Sequence, residues 1–210
     1  SKVYCSYQDS QGFMWFGTED GLNKYDGYNF EIYKYNPTDD KALSNNIIRC
    51  IFEDSKNNLL IGTDNGLNIY IRSNGSFKRY QNHPDDKNSI SNDIISSICE
   101  DKNGIIWIGT SKGLNSFDVA KEKFSLFSSQ ASDPSSLSSL AISSLLMDKN
   151  GTLWVGTVAD GLNAFDVSTK KSTRYFHTQN NPNTLSENEI TCLTEDKSGS
   201  IWAGTVNGGI

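Results

Sequence analysis

The sequence predicts an all-β fold, a β-propeller of four-stranded antiparallel blades, with about four and a half blades in 210 residues. Three observations carry this. A segment of 45 to 48 residues repeats in tandem. Each copy shows strand-period apolar patterning. The stretches between apolar runs are filled by Gly, Ser, Asn, Thr and Asp, the turn formers of chains built from many short strands. One four-stranded sheet cannot bury both of its faces alone, whereas a stack of like sheets can. A β-solenoid has much shorter rungs, and a β-sandwich has no reason to repeat its sequence so regularly.

The repeat is anchored on Gly-Thr, found at Gly17-Thr18, Gly62-Thr63, Gly109-Thr110, Gly156-Thr157 and Gly204-Thr205, at intervals of 45, 47, 47 and 48 residues. Two residues before each Gly stands Trp15, Leu60, Trp107, Trp154 or Trp202, and three further back stands Gly12, Asn57, Gly104, Gly151 or Gly199. Asp9, Asp54, Asp101, Asp148 and Asp196 open these turns. Gly-Leu-Asn follows at residues 21–23, 66–68, 113–115 and 161–163, and then an aromatic at Tyr25, Tyr70, Phe117 and Phe165. The blades are delimited at about residues 2–36, 47–81, 94–128 and 141–177, with a partial blade at 190–210.

Within a copy the first strand is a continuous apolar run (47–53, 94–100, 142–147, 190–195), expected to be innermost and buried on both faces. In the Asp-x-x-Gly turn the carboxylate bonds backbone N–H groups and Gly accepts positive φ; Asn57 tolerates the same left-handed conformation. The second strand, as at 105–110, puts Ile106 and Ile108 on one face and Trp107 and Gly109 on the other. A glycine inside a strand marks a close approach, so a large side chain of the adjoining blade is expected over it. The third strand (113–118) and a fourth (30–35, 77–80, 124–127, 173–176) follow. Polar segments of about a dozen residues (36–46, 82–93, 128–140, 178–189) then return the chain to the next first strand, as an outer-edge-to-axis step requires.

The formal net charge is -6, and no Lys/Arg cluster exceeds a pair. That argues against nucleic acid and against an anionic membrane surface as partners. No apolar run approaches the roughly 18 residues of a span, and residues 1–9 lack signal-peptide architecture. The chain is therefore expected to be soluble as given, with any membrane attachment lying in segments downstream of it. Four cysteines without a C-x-x-C, each in a first strand, read as small buried residues; one disulfide stays open in an oxidising compartment.

Residues held in register in nearly every copy serve the blade. Trp15, Trp107, Trp154 and Trp202, with Gly17, Gly62, Gly109, Gly156 and Gly204, are assigned to structure rather than to a stacking platform for sugars. Asn23, Asn68, Asn115 and Asn163 are assigned to pairing buried backbone groups. Asp-x-x-Gly lacks the ligand succession of a calcium loop. Function is sought where copies differ, on the turns after Gly-Thr, which strand counting places on one rim with the returning segments. The candidate ligand-binding residues there are Asp20, Asp64, Asn65, Lys112 and Asp160. No catalytic residue, metal site or cofactor is assigned: His83 and His177 are isolated, and no His-x-x-His or Gly-x-Ser-x-Gly occurs.

The pattern read most fully at residues 95–118, Ile-x-x-Ile-x-Glu-Asp-x-x-Gly-x-Ile-Trp-Ile-Gly-Thr-x-x-Gly-Leu-Asn-x-Phe-Asp once the frame is aligned, resembles the two-component regulator propeller repeat, and the likeness covers the whole chain. The resemblance implies a periplasmic sensor part of an inner-membrane hybrid two-component histidine kinase, itself not an enzyme, that detects an oligosaccharide. The alternative is a structural or protein-interaction propeller that mediates receptor dimerisation; a metal-dependent lyase or lactonase comes third. Four blades and two strands of a fifth leave sheet edges unpaired, so the chain is expected to be a fragment of a longer propeller that closes imperfectly or self-associates.

Overall fold

A computed structural model describes residues 2–210, which form eighteen β-strands. The chain divides into two compact units, Ser1–Ile98 and Cys99–Ile210. Unit one holds a sheet of β1 (Val3–Gln8), β2 (Met14–Thr18), β3 (Gly21–Tyr25) and β4 (Phe30–Tyr33), and a second of β5 (Ile48–Glu53), β6 (Leu59–Thr63), β7 (Gly66–Ile71) and β8 (Ser76–Tyr80). The strand β9 (Ile95–Glu100) carries the boundary and heads a sheet with β10 (Ile106–Thr110), β11 (Gly113–Asp118) and β12 (Lys123–Phe127). In unit two, β13 (Ile142–Met147), β14 (Thr152–Thr157), β15 (Leu162–Asp166) and β16 (Lys171–Tyr175) make a fourth sheet, and β17 (Ile190–Glu195) pairs with β18 (Ile201–Thr205). The four-stranded sheets are antiparallel meanders in chain order, the blades of a β-propeller. Among the described residues no helix is long and apolar enough to cross a membrane.

Each blade is organised by the Asp of its first turn. Asp9 Oδ1 accepts the N–H groups of Gln11 (3.0 Å) and Phe13 (2.9 Å), and Oδ2 accepts the indole N–H of Trp15 at 2.9 Å. The indole bond recurs from Trp107 to Asp101 (3.1 Å), Trp154 to Asp148 (2.9 Å) and Trp202 to Asp196 (2.9 Å). In the second sheet Leu60 replaces the Trp, and the amide of Asn58 donates to Asp54 Oδ2 at 2.7 Å instead. A carboxylate oxygen left unpaired in this setting would cost about 1–3 kcal/mol or more, so the donor is kept although its source changes. Asn57 adopts φ +64°, in the left-handed region that Gly104 occupies at +77°.

Strand pairing sorts each sheet into two faces. In the first sheet Trp15, Gly17, Leu22 and Tyr33 share one face, and Phe16, Asn23 and Ile32 the other. The Trp15 face packs on Ile48, Ile51, Leu59, Ile61, Tyr70 and Phe77 of the second sheet. The Trp15 and Tyr70 rings meet edge-on at 5.1 Å, and the hydroxyls of Tyr33 and Tyr70 lie 2.8 Å apart. Unit two repeats this with Trp107, Leu114 and Phe127 against Ile142, Leu153, Val155 and Phe165. Burying each such side chain contributes about 1.5–3 kcal/mol.

Close approach explains the strand glycines. A Cβ on Gly17 would lie 2.5 Å from Cys5 Sγ and 2.7 Å from Ile48 Cγ2 of the next sheet. Gly62 meets Cys50 and Ile95 at the same distances, and Gly156 meets Ile190 at 2.7 Å. The covering group is thus a β-branched Ile from the next sheet, joined by the blade's own Cys or Ser directly across the ladder (Cys5↔Gly17, Cys50↔Gly62, Ser144↔Gly156, Cys192↔Gly204). All four cysteines are free thiols; Cys99 is buried, Cys5 and Cys50 are half-buried and Cys192 is exposed.

The first strands differ from the sequence expectation of burial on both faces. Each is the edge of its sheet, and β1, β5 and β17 all carry exposed residues, whereas β6 and β10, enclosed by neighbours, are buried throughout.

Two further devices tie sheet to sheet within each unit. The returning segments act as straps. Leu43 is buried in the first core, the Ser44 N–H donates to Asn68 Oδ1 at 3.0 Å, and Asn68 Nδ2–H donates to Ser44 Oγ at 2.8 Å. Arg79 adds donations to the carbonyls of Asp39, Ala42 and Leu43. Leu137, Ser138, Asn163 and Arg174 repeat the arrangement in unit two. At the turn end, Glu53 accepts the Ser10 N–H (2.7 Å) and Arg72 (2.6 Å), while Arg72 also reaches Asp9 at 2.9 Å. Glu195 likewise accepts the Lys149 N–H at 3.1 Å. Burial alone would raise the Asp9 pKa, but donation from Arg72, Trp15 and the Phe13 amide holds it below the usual carboxylate range.

Candidate functional site

The rim begins at the Thr of Gly-Thr. Thr18 Oγ1–H donates to the Gly21 carbonyl at 2.9 Å and the same oxygen accepts the Asp20 N–H at 3.0 Å. Thr63, Thr110 and Thr157 do the same for their own turns. With the backbone closed by Thr, the side chains between Thr and Gly are released for other use. The turns also bond to the straps, through the N–H groups of Gly21 to Asn46, Gly66 to Asp93 and Gly161 to Asn188. Turn and strap therefore emerge on one rim within each unit.

The sequence-assigned residues take different places on that rim. Asp20 is exposed and pairs with Lys34 at 2.7 Å. Asp64 forms a two-pronged pair with Arg49 at 2.5 and 3.0 Å. Asn65 turns inward, its amide donating to the Ser44 carbonyl at 3.2 Å, so it secures the strap. Lys112 and Asp160, in unit two, are exposed at the tips of their turns. Of the repeated tryptophans, Trp15 and Trp107 are enclosed, Trp154 is half-buried, and Trp202, in the two-stranded sheet, is 50% exposed. Trp202 and Trp154 line an open groove of about 1150 Å³ with Tyr175 and His177.

Two residues that sequence reasoning passed over, Tyr4 and Arg49, stand beside Asp64 in unit one. The first strands β1, β5, β13 and β17 each carry a bulge one residue into the strand, at Tyr4, Arg49, Ser143 and Thr191. Bulges re-aim side chains and favour functional places. The guanidinium of Arg49 lies 5.9 Å from the Tyr4 ring centroid and the Lys2 ammonium 4.9 Å from it. The Lys2 N–H donates to Glu19 at 3.0 Å. Asp64, by its hydrogen bonds to Arg49, raises the Arg49 pKa. Tyr4, 40% exposed, is thus an aromatic face flanked by two cations and a carboxylate pair. The signal was legible: the triplets Val3-Tyr4-Cys5, Ile48-Arg49-Cys50, Ile142-Ser143-Ser144 and Ile190-Thr191-Cys192 vary most at the middle position.

The chemistry this corner offers is hydrogen bonding and stacking. Burial pushes the Cys5 thiol up to about 11 and Cys99 to about 12, so neither is a thiolate at neutral pH. His177 is engaged with the Leu185 carbonyl at 2.7 Å, and the His83 N–H with Ser89. Among the described residues no group of three or more His, Cys, Asp or Glu could hold a metal ion.

The model of the family described as two component regulator propeller matches residues 1–20, 42–65, 89–112, 136–159 and 184–207. A curated relative, histidine kinase P4 of Formosa agariphila, is 50% identical over 44 residues, 21% of this chain and 3% of its own length. The extracellular domain of the putative hybrid two component system BT3049 of B. thetaiotaomicron superposes with a TM-score of 0.83 at 28% identity, over 97% of this chain and 27% of that one. The chain thus spans about a quarter of that structure. Virginiamycin B lyase of Staphylococcus aureus shares the fold at a TM-score of 0.68 and 15% identity, over 96% of this chain and 62% of its own.

Proposed function

The chain belongs to the two component regulator propeller family, and on that premise we propose that it is the ligand-sensing part of the extracytoplasmic region of a hybrid two-component sensor histidine kinase. The observation that carries this is the likeness, along nearly the whole chain, to the extracellular domain of a hybrid two-component system. The region faces the periplasm and binds without turnover; catalysis belongs to the kinase of the whole protein. Its ligand is an oligosaccharide. The Tyr4 ring supplies an apolar face for a sugar ring, and the Arg49–Asp64 pair supplies directed donors and acceptors beside it. Exposed Asp20, Lys112 and Asp160 supply further polar contacts on the rims of their own units.

The test is calorimetric titration of the complete sensor region with a panel of oligosaccharides, alongside kinase output in the whole protein. One ligand is expected to bind, and Tyr4→Ala or Arg49→Ala to weaken it tenfold or more with loss of output. Absence of binding and of kinase response across the panel would overturn the reading. So would rim variants that leave signalling intact.

A further inference from the structure

In both units the opening turn of a blade is clasped by the last residue of the next first strand, and one clasp in unit two differs in its chemistry. In unit one Glu53, at the end of β5, accepts the Ser10 N–H on one oxygen at 2.7 Å and Arg72 on the other at 2.6 Å. In unit two Glu195, at the end of β17, accepts the Lys149 N–H at 3.1 Å. At the end of β13 this place is held by Met147, which lies opposite Leu153 as Glu53 lies opposite Leu59 and Glu195 opposite Ile201. The N–H that corresponds to those of Ser10 and Lys149 is that of Lys102, which follows Asp101 as Ser10 follows Asp9 and Lys149 follows Asp148. Val167 stands where Arg72 stands, one residue past the third strand of its sheet. Met147, Val167 and Ile105 pack on the core between the third and fourth sheets, and Met147 stays half-buried. A thioether is only a weak acceptor, so this clasp is apolar where its counterparts are ionic.

We propose that Met147 is an oxidative modification site whose sulfoxide completes the clasp. A hydroperoxide gives one oxygen to the sulfur: the O–O bond breaks, an S–O bond forms, the sulfur is oxidised by two electrons, and the peroxide leaves reduced, as water or an alcohol. The sulfoxide group then matches a glutamate carboxylate atom for atom. Its sulfur takes the place of the carboxyl carbon, its oxygen the place of the oxygen that accepts the turn N–H, and its methyl the place of the oxygen that meets Arg72. The Lys102 N–H donates to the new oxygen, and the methyl rests against Val167, which has no proton to donate. Oxidation of a packed methionine ordinarily disrupts its surroundings. Here the new acceptor arrives where the other junctions already hold one, so the modified chain keeps its fold. The junction of the third and fourth sheets gains a polar tie on oxidation and gives it up on reduction.

The experiment uses the whole chain carrying Met14→Leu, which leaves Met147 as its one methionine. Hydrogen peroxide is added at neutral pH, and peptide mass spectrometry follows the gain of one oxygen. Met147 is expected to be oxidised in the folded chain, with the melting point unmoved or raised. Hydrogen exchange at the Lys102 amide should slow by about threefold or more on oxidation, while the Lys149 amide, already bonded to Glu195, keeps its rate. A methionine sulfoxide reductase should restore the faster exchange. Met147→Glu and Met147→Gln should slow the Lys102 amide without peroxide, and Met147→Leu should make it indifferent to peroxide. Oxidation of Met147 only after unfolding in urea, a lower melting point on oxidation, or a Lys102 amide that exchanges at the same rate or faster would overturn the proposal.

Discussion

Asn68→Ala and Asn23→Ala remove the same side chain at the same register of two sheets, and the structure assigns them very different costs. Asn68 is fully buried and its loss strands the Ser44 N–H and removes a donor to Ser44 Oγ. The hydroxyl keeps Thr63, 3.1 Å away. One buried N–H left unpaired costs about 1–3 kcal/mol, and the lost amide–hydroxyl bond adds about 1, so Asn68→Ala is expected to destabilise its unit by about 2–4 kcal/mol. Asn23, half-buried on an open face, should cost no more than about 0.5 kcal/mol. With a urea m-value of about 1–2 kcal/mol/M for a unit of this size, the midpoints separate by roughly 1–3 M. Hydrogen exchange gives the local reading: the Ser44 amide should lose protection by about a hundredfold in Asn68→Ala. Equal costs for the two substitutions, or an unchanged Ser44 amide, would refute the view that the Asn–Ser fork holds the strap.

Other consequences follow from the same contacts. Gly62→Ala places a methyl between Cys50 Sγ and Ile95 Cγ2 and should cost about 1–3 kcal/mol; adding Cys50→Ala should recover part of it, and a double-mutant cycle by thermal melting checks the coupling. The folded pKa of Asp9 is depressed, so the unfolded chain binds more protons as pH falls below about 3.9; that contribution is whole above the unfolded pKa and is lost as pH drops through the folded one. Arg72→Met should therefore lower stability at pH 7 and flatten the loss in the acid limb, measured by urea midpoints between pH 7 and 2. Among the four thiols, exposed Cys192 should react first with a disulfide reagent at pH 7.5, with Cys5 and Cys99 modified only on unfolding, since burial raises both; simultaneous modification of all four would contradict the packing.

Most of the blade was legible because its signals are local and repeated. The Asp-x-x-Gly turns appear with Asp9 Oδ1 accepting N–H groups two and four residues on, and Asn57 takes the left-handed conformation that its place among glycines required. The strand glycines announced a close approach from the adjoining blade, but not which residues make it: the pairing of Cys5 with Gly17 is a cross-strand register, and the lid from Ile48 is 31 positions away in sequence. The candidate site was read from the copies' variable turns, which put Asp64 on the rim; Tyr4 and Arg49 were missed because a bulge turns them to a place that period-two counting does not foresee. The strap contact of Asn65 was not foreseen, since its amide meets the Ser44 carbonyl only after the returning segment folds back.

By itself the sequence determined the repeat, the four strands of each blade and the turn chemistry, because each of these is settled within a few residues by φ preferences and by the alternation of side chains along a strand. Only the tertiary structure decided which faces meet, where the straps lie, and that Glu53 and Arg72 bind one turn to the next. These are contacts between residues far apart in the chain, whose energy depends on distance and burial, and neither quantity exists until the sheets have packed.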